Sequence, residues 1–178
     1  MEEPDPRVVH AAAGGDLAAF EQIVRAYQVP VWRFLRHLLG DAALAEDVTQ
    51  ETFLRVYGRL STFRYRSRFS AWIFTVARHA GIDALRSRQR RDLLERASRA
   101  AVTPDAALRT EVAAAVASLP PALRETFLLV EVVGLNHREV AEATGVPVGT
   151  VKSRMFRARE LLVAWLRAGE QGVRARGL

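Results

Sequence analysis

Apolar residues recur every three or four positions along nearly the whole chain of 178 residues, and that period fixes the fold class. A repeat near 3.6 belongs to α-helices, so the chain reads as all-α. Residues 16–39 read as one helix. Gly15-Asp16 offers an N-cap, and Phe20, Ile23, Val24, Tyr27, Val31, Phe34, Leu35 and Leu38 line one face. Pro30 is expected to kink or split it. Gly40-Asp41 ends that helix and caps the next, over 42–60. A loop over 61–68 and a helix over 69–90 complete an N-terminal bundle. Further helices are expected near 107–118, 121–133, 137–144 and 148–167, separated by Pro120-Pro121, Gly134 and Gly145. The sequence thus predicts two small helical domains, 10–91 and 109–168. A flexible linker over 92–108 joins them, and a frayed Gly- and Arg-rich tail follows over 169–178.

Composition narrows the function. There is no cysteine, which excludes disulfides, thiolate metal sites and cysteine nucleophiles. No apolar run approaches the roughly 20 residues that span a bilayer. The acidic start MEEPDPR lacks a signal peptide's basic and apolar regions, so a cytoplasmic protein without membrane insertion is expected. Net charge is +6, unevenly spread. Residues 1–60 carry nine acids and six bases, whereas residues 61–91 carry eight arginines and one acid. Residues 121–178 form a second basic lobe of net +3. Two basic lobes suit nucleic acid, although a GC-rich genome also favours arginine and alanine.

In the stretch HREVAEATGVPVGTVKSRMF, 137–156, Ala141, Gly145 and Val151 fall at helix-turn-helix spacing. A small residue lets the helices approach, glycine permits the positive φ of the turn, and an apolar residue seats the second helix. At 100° per residue Val151, Met155, Ala158 and Leu162 face inward. Gly149, Ser153, Phe156, Arg157 and Glu160 face outward, flanked by Thr150 and Lys152, with Arg154 at the border. A helix exposing Lys, Ser, Arg and an unsheltered Phe suits a major groove. An ordinary helical hairpin with a solvated basic face is the alternative. Arg124, behind Pro120-Pro121, reads equally as a phosphate contact or as a solvated side chain.

Two patterns mark the N-terminal bundle. In AEDVTQETFLRVYGRL, 45–60, Leu44, Val48, Phe53, Val56, Tyr57 and Leu60 form a core face. Asp47, Gln50, Glu51 and Leu54 lie opposite. An apolar anchor within an acidic rim suits docking to a basic partner, while an isolated exposed leucine is also ordinary. In FRYRSRFSAW, 63–72, four aromatic rings interleave with three arginines and no acid. On the following helix Phe69, Ile73, Ala77, Ala80 and Ala84 face inward, with Trp72, Thr75, His79 and Arg86 opposite. Rings stack on unpaired bases while arginines hold the backbone, which suits a strand that has left the duplex. Phe69 reads as core, and Trp72 is open between core and strand contact. Arg86, Arg88, Arg90 and Arg91 suit phosphates, or a solvated helix end that complements the helix dipole.

Taken in order, AEDVTQETFLRVY, FRYRSRFSAWIFTVARHAGIDALR and LPPALRETFLLVEVVGLNHREVAEATGVPVGTVKSRMFRARELL resemble the sigma-70 family, within residues 12–166. The resemblance is closest to the two-domain extracytoplasmic-function (ECF) group of alternative RNA polymerase sigma factors. It implies a sigma-2-like bundle and a sigma-4-like helix-turn-helix domain. It implies that Asp47, Gln50, Glu51 and Leu54 dock on the β′ clamp helices of bacterial core RNA polymerase, with the β flap as a second contact. It implies recognition and melting of the −10 promoter element by Arg64, Tyr65, Arg66, Arg68, Trp72, His79, Arg86 and Arg90. It implies that Thr150, Lys152, Ser153, Arg154, Phe156 and Arg157 read the −35 element as duplex, and Arg124 is a further candidate for that contact. An anti-sigma factor is the further implied partner. Two residues depart from the family pattern: Tyr65 stands where glycine is usual, and His79 where asparagine is commoner.

No catalytic residue, metal or cofactor is expected. His10, His37, His79 and His137 lack ligand spacing, and no nucleophile motif or phosphate-binding loop is present. A helix-turn-helix regulator acting without polymerase is the alternative function. It leaves the Leu54 face and the aromatic-basic block without a role. A protein-interaction module without DNA leaves both basic lobes unused.

Overall fold

The computed structural model describes residues 2–65, 67–96 and 111–176, and their side chains except at 92–96, 111 and 169–176. Every regular element among these residues is helical. The chain divides into two compact units, Met1–Asp105 and Ala106–Leu178.

The first unit contains α1 (Pro6–Ala13), α2 (Leu17–Leu39), α3 (Ala42–Arg59), a 3₁₀ turn (Leu60–Thr62) and α4 (Phe69–Arg96). Aspartates start the first three helices. Asp5 accepts from Arg7 N at 2.8 Å, Asp16 from Ala18 and Ala19 N at 2.9 and 3.1 Å, and Asp41 from Leu44 N at 3.0 Å. Each such cap is worth about 1 kcal/mol. Helix α1 begins ahead of the predicted domain start at residue 10 and runs across it. It buries only Val9 and Ala12, too little to make a legible stripe.

Pro30 neither splits α2 nor ends it. Proline removes the hydrogen bond to the carbonyl four residues back. That carbonyl belongs to Ala26, which is exposed, so water can serve it. The residues on either side, Tyr27, Val31, Phe34 and Leu35, are fully buried and hold the helix through the defect. Phe34 meets Phe74 of α4 edge-on at 5.6 Å. Helices α2 and α4 approach closely at Gly81, where a Cβ would sit 3.0 Å from the Leu35 and Leu38 methyls. Thr49 and Thr52 are buried in α3 despite their hydroxyls. Each donates one turn back, to Ala45 O at 2.6 Å and Val48 O at 2.7 Å, so no polar group is stranded.

The second unit contains α5 (Glu111–Ser118), α6 (Pro121–Phe127), a π turn (Leu128–Val132), α7 (His137–Thr144) and α8 (Val148–Arg176). The sequence predicts one helix over 121–133, and the structure widens its last turn. Val133 N donates to Leu128 O at 3.0 Å. Residues five apart on an α-helix point about 140° away from each other. Bonding from i to i+5 turns them back toward one side. Leu128, Leu129 and Val133 are accordingly all buried. Asn136 and Glu139 form a reciprocal capping box at the start of α7. Gly145, at φ +69°, makes the left-handed turn into α8. Helix α8 continues to Arg176, past the predicted helix end at 167 and through most of the predicted frayed tail. The predicted linker lies largely outside the described residues, although α4 enters it as far as Arg96.

Candidate partner and nucleic-acid surfaces

Helix α3 packs Ala45, Val48, Thr52, Phe53 and Val56 inward. Periodicity then forces Asp47, Gln50, Glu51 and Leu54 outward, and all four are exposed. Leu54 is 74% exposed, more than any other large apolar residue described. Arg55, which the sequence patterns do not single out, edits the charge of this face. Its guanidinium donates to Glu51 at 2.6 Å and to Asp83 of α4 at 3.0 Å. Both partners raise its already high pKa, Asp83 chiefly. Tyr57, predicted as core, is 44% exposed and rests edge-on against Phe20 at 4.9 Å.

The aromatic-basic stretch resolves into a ring cluster beneath a charged rim. Phe63 sits at its centre, 4.7 Å from Tyr65, 5.4 Å from Phe69 and 5.3 Å from Trp72 between ring centroids. Phe63 and Phe69 are buried, and Phe69 also meets Tyr27 edge-on at 5.5 Å. Trp72 is half-buried, so it serves the cluster and keeps part of its indole in solvent. Tyr65 is 52% exposed. Among the described residues it is the one non-glycine at positive φ, +54°. The backbone here is left-handed, a conformation that glycine adopts without strain. Tyr65 is held in it by its ring contact to Phe63 and by its hydroxyl, which donates to Pro6 O at 3.0 Å.

Arg64, Arg68, Arg86 and Arg90 are exposed along this loop and α4, while Arg66 lies outside the described residues. Arg64 donates to Ser61 O at 2.7 Å, and Arg68 pairs with Glu3 at 3.2 Å. Arg88 is half-buried and bridges to Asp41 at 3.3 Å, which tethers it. His79 is exposed on α4. Desolvation, and after it the Arg78 charge, push its imidazole below the ordinary histidine value. The neutral form is thereby favoured at pH 7.

In the second unit Val151, Met155 and Ala158 seat α8 on its neighbours. Lys152, Ser153, Phe156 and Arg157 face solvent, with Thr150 and Arg154 half-buried at the edges. Phe156 is 66% exposed, with no core to serve. Ser153 Oγ donates to Thr150 O at 2.9 Å, which leaves its lone pairs outward. These six side chains lie along the side of α8 away from Val151, Met155 and Ala158.

Arg124 is half-buried and bonded to backbone, unlike the solvated reading. Its Nη2 donates to the carbonyls of Ala117 and, at 3.1 Å, Leu119, so the side chain caps the C-terminal end of α5. Burial lowers its pKa, and its Nε is buried without a partner. This arginine stabilises the junction between α5 and α6. The sequence carried no sign of this, since seven positions separate Arg124 from the farther carbonyl. Among the described residues no group of three His, Asp or Glu could hold a metal ion, and no helix is long and apolar enough to cross a membrane.

Family models match both units. Sigma-70 region 2 matches residues 23–91, and Sigma-70 region 4 matches residues 109–162. The chain is 37% identical over 161 residues to a probable RNA polymerase sigma-C factor of Mycobacterium bovis, covering 86% of each. It is 34% identical over 179 residues to the RNA polymerase sigma-H factor of Pseudomonas aeruginosa, covering 90% of this chain and 93% of that one. Among solved structures it is similar to CnrH in complex with the cytosolic domain of CnrY, with a TM-score of 0.70 and 29% identity over 90% of this chain and 96% of CnrH. It is also similar to RpoE of Bartonella quintana in complex with the anti-sigma factor NepR, with a TM-score of 0.73 and 25% identity over 83% of this chain and 96% of RpoE.

Proposed function

The chain belongs to the sigma-70 family, in the ECF group of RNA polymerase sigma factors, and from that premise we propose how its surfaces divide the work of initiation. It binds bacterial core polymerase and directs promoter recognition, and it is not itself an enzyme. The exposed face of α3 docks on the polymerase. What supports this is Leu54, 74% exposed amid Asp47, Gln50 and Glu51, an apolar anchor inside a charged rim. The α8 face bearing Thr150, Lys152, Ser153, Arg154, Phe156 and Arg157 reads the −35 duplex. Phe156 suits thymine methyls, and the cations suit guanine edges or phosphates.

The ring cluster and the arginines of the first unit capture the −10 strand once it leaves the duplex. Tyr65 and the open part of Trp72 offer stacking surfaces. Arg64, Arg66, Arg68, Arg86 and Arg90 hold the backbone, and His79, neutral, offers a hydrogen bond rather than a charge. Each surface alone binds weakly. Polymerase holds both on one promoter, and the second contact then forms at high effective concentration. Strand capture offsets the cost of unpairing, so melting draws no ATP from this chain. The protein acts in the cytoplasm, where an anti-sigma factor covers one or more of these faces.

Arg157→Ala and Trp72→Ala in reconstituted holoenzyme separate the two DNA roles. The first is expected to lose −35 protection while keeping core binding. The second should form closed complexes but lose permanganate reactivity at −10. Unchanged footprints in both variants would refute the assignment.

A further inference from the structure

The acidic N-terminal segment lies against the loop that the proposed function gives to the promoter strand. Residues 2–5 contain three acids, and the stretch 63–72 contains three arginines and none. Three contacts join them although some sixty positions separate them in the chain. Glu3 Oε1 accepts from Arg68 Nε at 3.2 Å. The same carboxylate accepts from Ser70 N, in the first turn of α4, at 3.3 and 3.4 Å. Pro6 O accepts from the Tyr65 hydroxyl at 3.0 Å. A fourth bond, from the Tyr27 hydroxyl to Glu2 O at 3.2 Å, lays the segment along α2.

We propose that this segment is an internal competitor of the promoter strand: Glu3 occupies, as a carboxylate, the place that a DNA phosphate takes when the strand binds. The chemistry of the contact is that of a phosphate oxygen. A guanidinium N–H and a free backbone N–H at the start of a long helix both prefer an anion. Ser70 is buried, 1% exposed, so packing fixes its backbone N–H where the carboxylate meets it. The ion pair is open enough to exchange, with Arg68 43% and Glu3 34% exposed in their side chains. Displacement does not cost the segment its anchor. Helix α1 starts at Pro6 and buries Val9 and Ala12, so the freed acids stay tethered beside the loop. Tethered acids raise the threshold for capturing any single strand, and so favour strands held in place by polymerase and the −35 contact.

The inference rests on the strand-binding reading of the loop, and the test separates the two. The full chain is titrated into a fluorescein-labelled single-stranded oligonucleotide of mixed sequence at low salt, with anisotropy as the readout. Glu3→Gln, which keeps an oxygen acceptor for Ser70 N, is expected to bind about two- to five-fold tighter, the range of an exposed ion pair. Glu3→Ala should show the same gain, with thermal unfolding confirming that both variants fold. Glu21→Gln removes the same charge and frees Arg25 elsewhere on the bundle, so it should give a smaller gain. The gain of Glu3→Gln should be smaller in the Arg68→Ala background and should shrink as salt rises. Unchanged or weaker binding by Glu3→Gln, while Arg68→Ala still weakens it, overturns the inference and leaves the strand-binding reading standing. No effect of Arg68→Ala overturns both.

Discussion

Replacing Leu54 probes the polymerase face without disturbing the fold. The side chain is 74% exposed and touches no core, so its loss should leave the melting temperature within about 2 °C. Docking would take it out of water. Full burial of a leucine is worth about 2 kcal/mol, and three quarters of that is roughly 1.5 kcal/mol. Leu54→Ala should therefore weaken core polymerase binding about tenfold. Leu54→Asp should cost more, since a carboxylate would enter an apolar seat already flanked by Asp47 and Glu51. Competition for fluorescently labelled core polymerase measures both, with circular dichroism to confirm the helices. Normal affinity for core in a folded Leu54→Asp chain would refute the docking assignment. A collapse of the fold would refute the burial argument.

Arg124→Ala should destabilise the second unit by about 2 kcal/mol, the worth of a charged hydrogen bond to two carbonyls. It should leave the affinity of the folded domain for −35 duplex unchanged; a stable variant with weakened binding would return Arg124 to the DNA face. Tyr65→Phe should cost about 1 kcal/mol through the lost bond to Pro6, measured by urea unfolding. Tyr65→Gly should be no more stable than Tyr65→Phe, because relief of the left-handed strain is offset by the lost ring contact and by glycine's entropy. A clear stabilisation by glycine would contradict this. Folded His37 and His79 both titrate below the ordinary value of 6.5, through burial first and neighbouring arginines second. The unfolded chain then binds more protons, so stability is present above the ordinary histidine value and is lost as pH falls below it, through the lowered folded values. Melting curves across that window check the sign, and His37→Asn should flatten the slope.

Long periodic elements were legible because their burial repeats at the helix period. Helices α2 and α3 carry that signal over several turns and α8 over its first turns, and Leu54 and Phe156 stand out because they break it. Helix α1 carries two buried residues in eight, below what periodicity reveals, and the structure shows Asp5 capping it with Pro6 in its first turn. The π turn changes register without changing composition. Arg55, Arg124 and Glu3 act through partners 28, 7 and 65 positions away, and no local pattern encodes such pairings. Thr49 and Thr52 hide in the core because their hydroxyls bond to their own helix, which hydropathy does not register. Tyr65 shows the reverse: its departure from glycine was visible, and the structure supplies the reason glycine suits the position, a φ of +54°.

Reconstituted transcription decides whether the chain directs initiation. The full chain is mixed with bacterial core RNA polymerase and genomic fragments, and transcript 5′ ends are mapped. Discrete new starts are expected that share one −35 and −10 pair and disappear with Leu54→Asp. A folded chain that binds duplex DNA alone yet yields no starts with core polymerase would contradict that role.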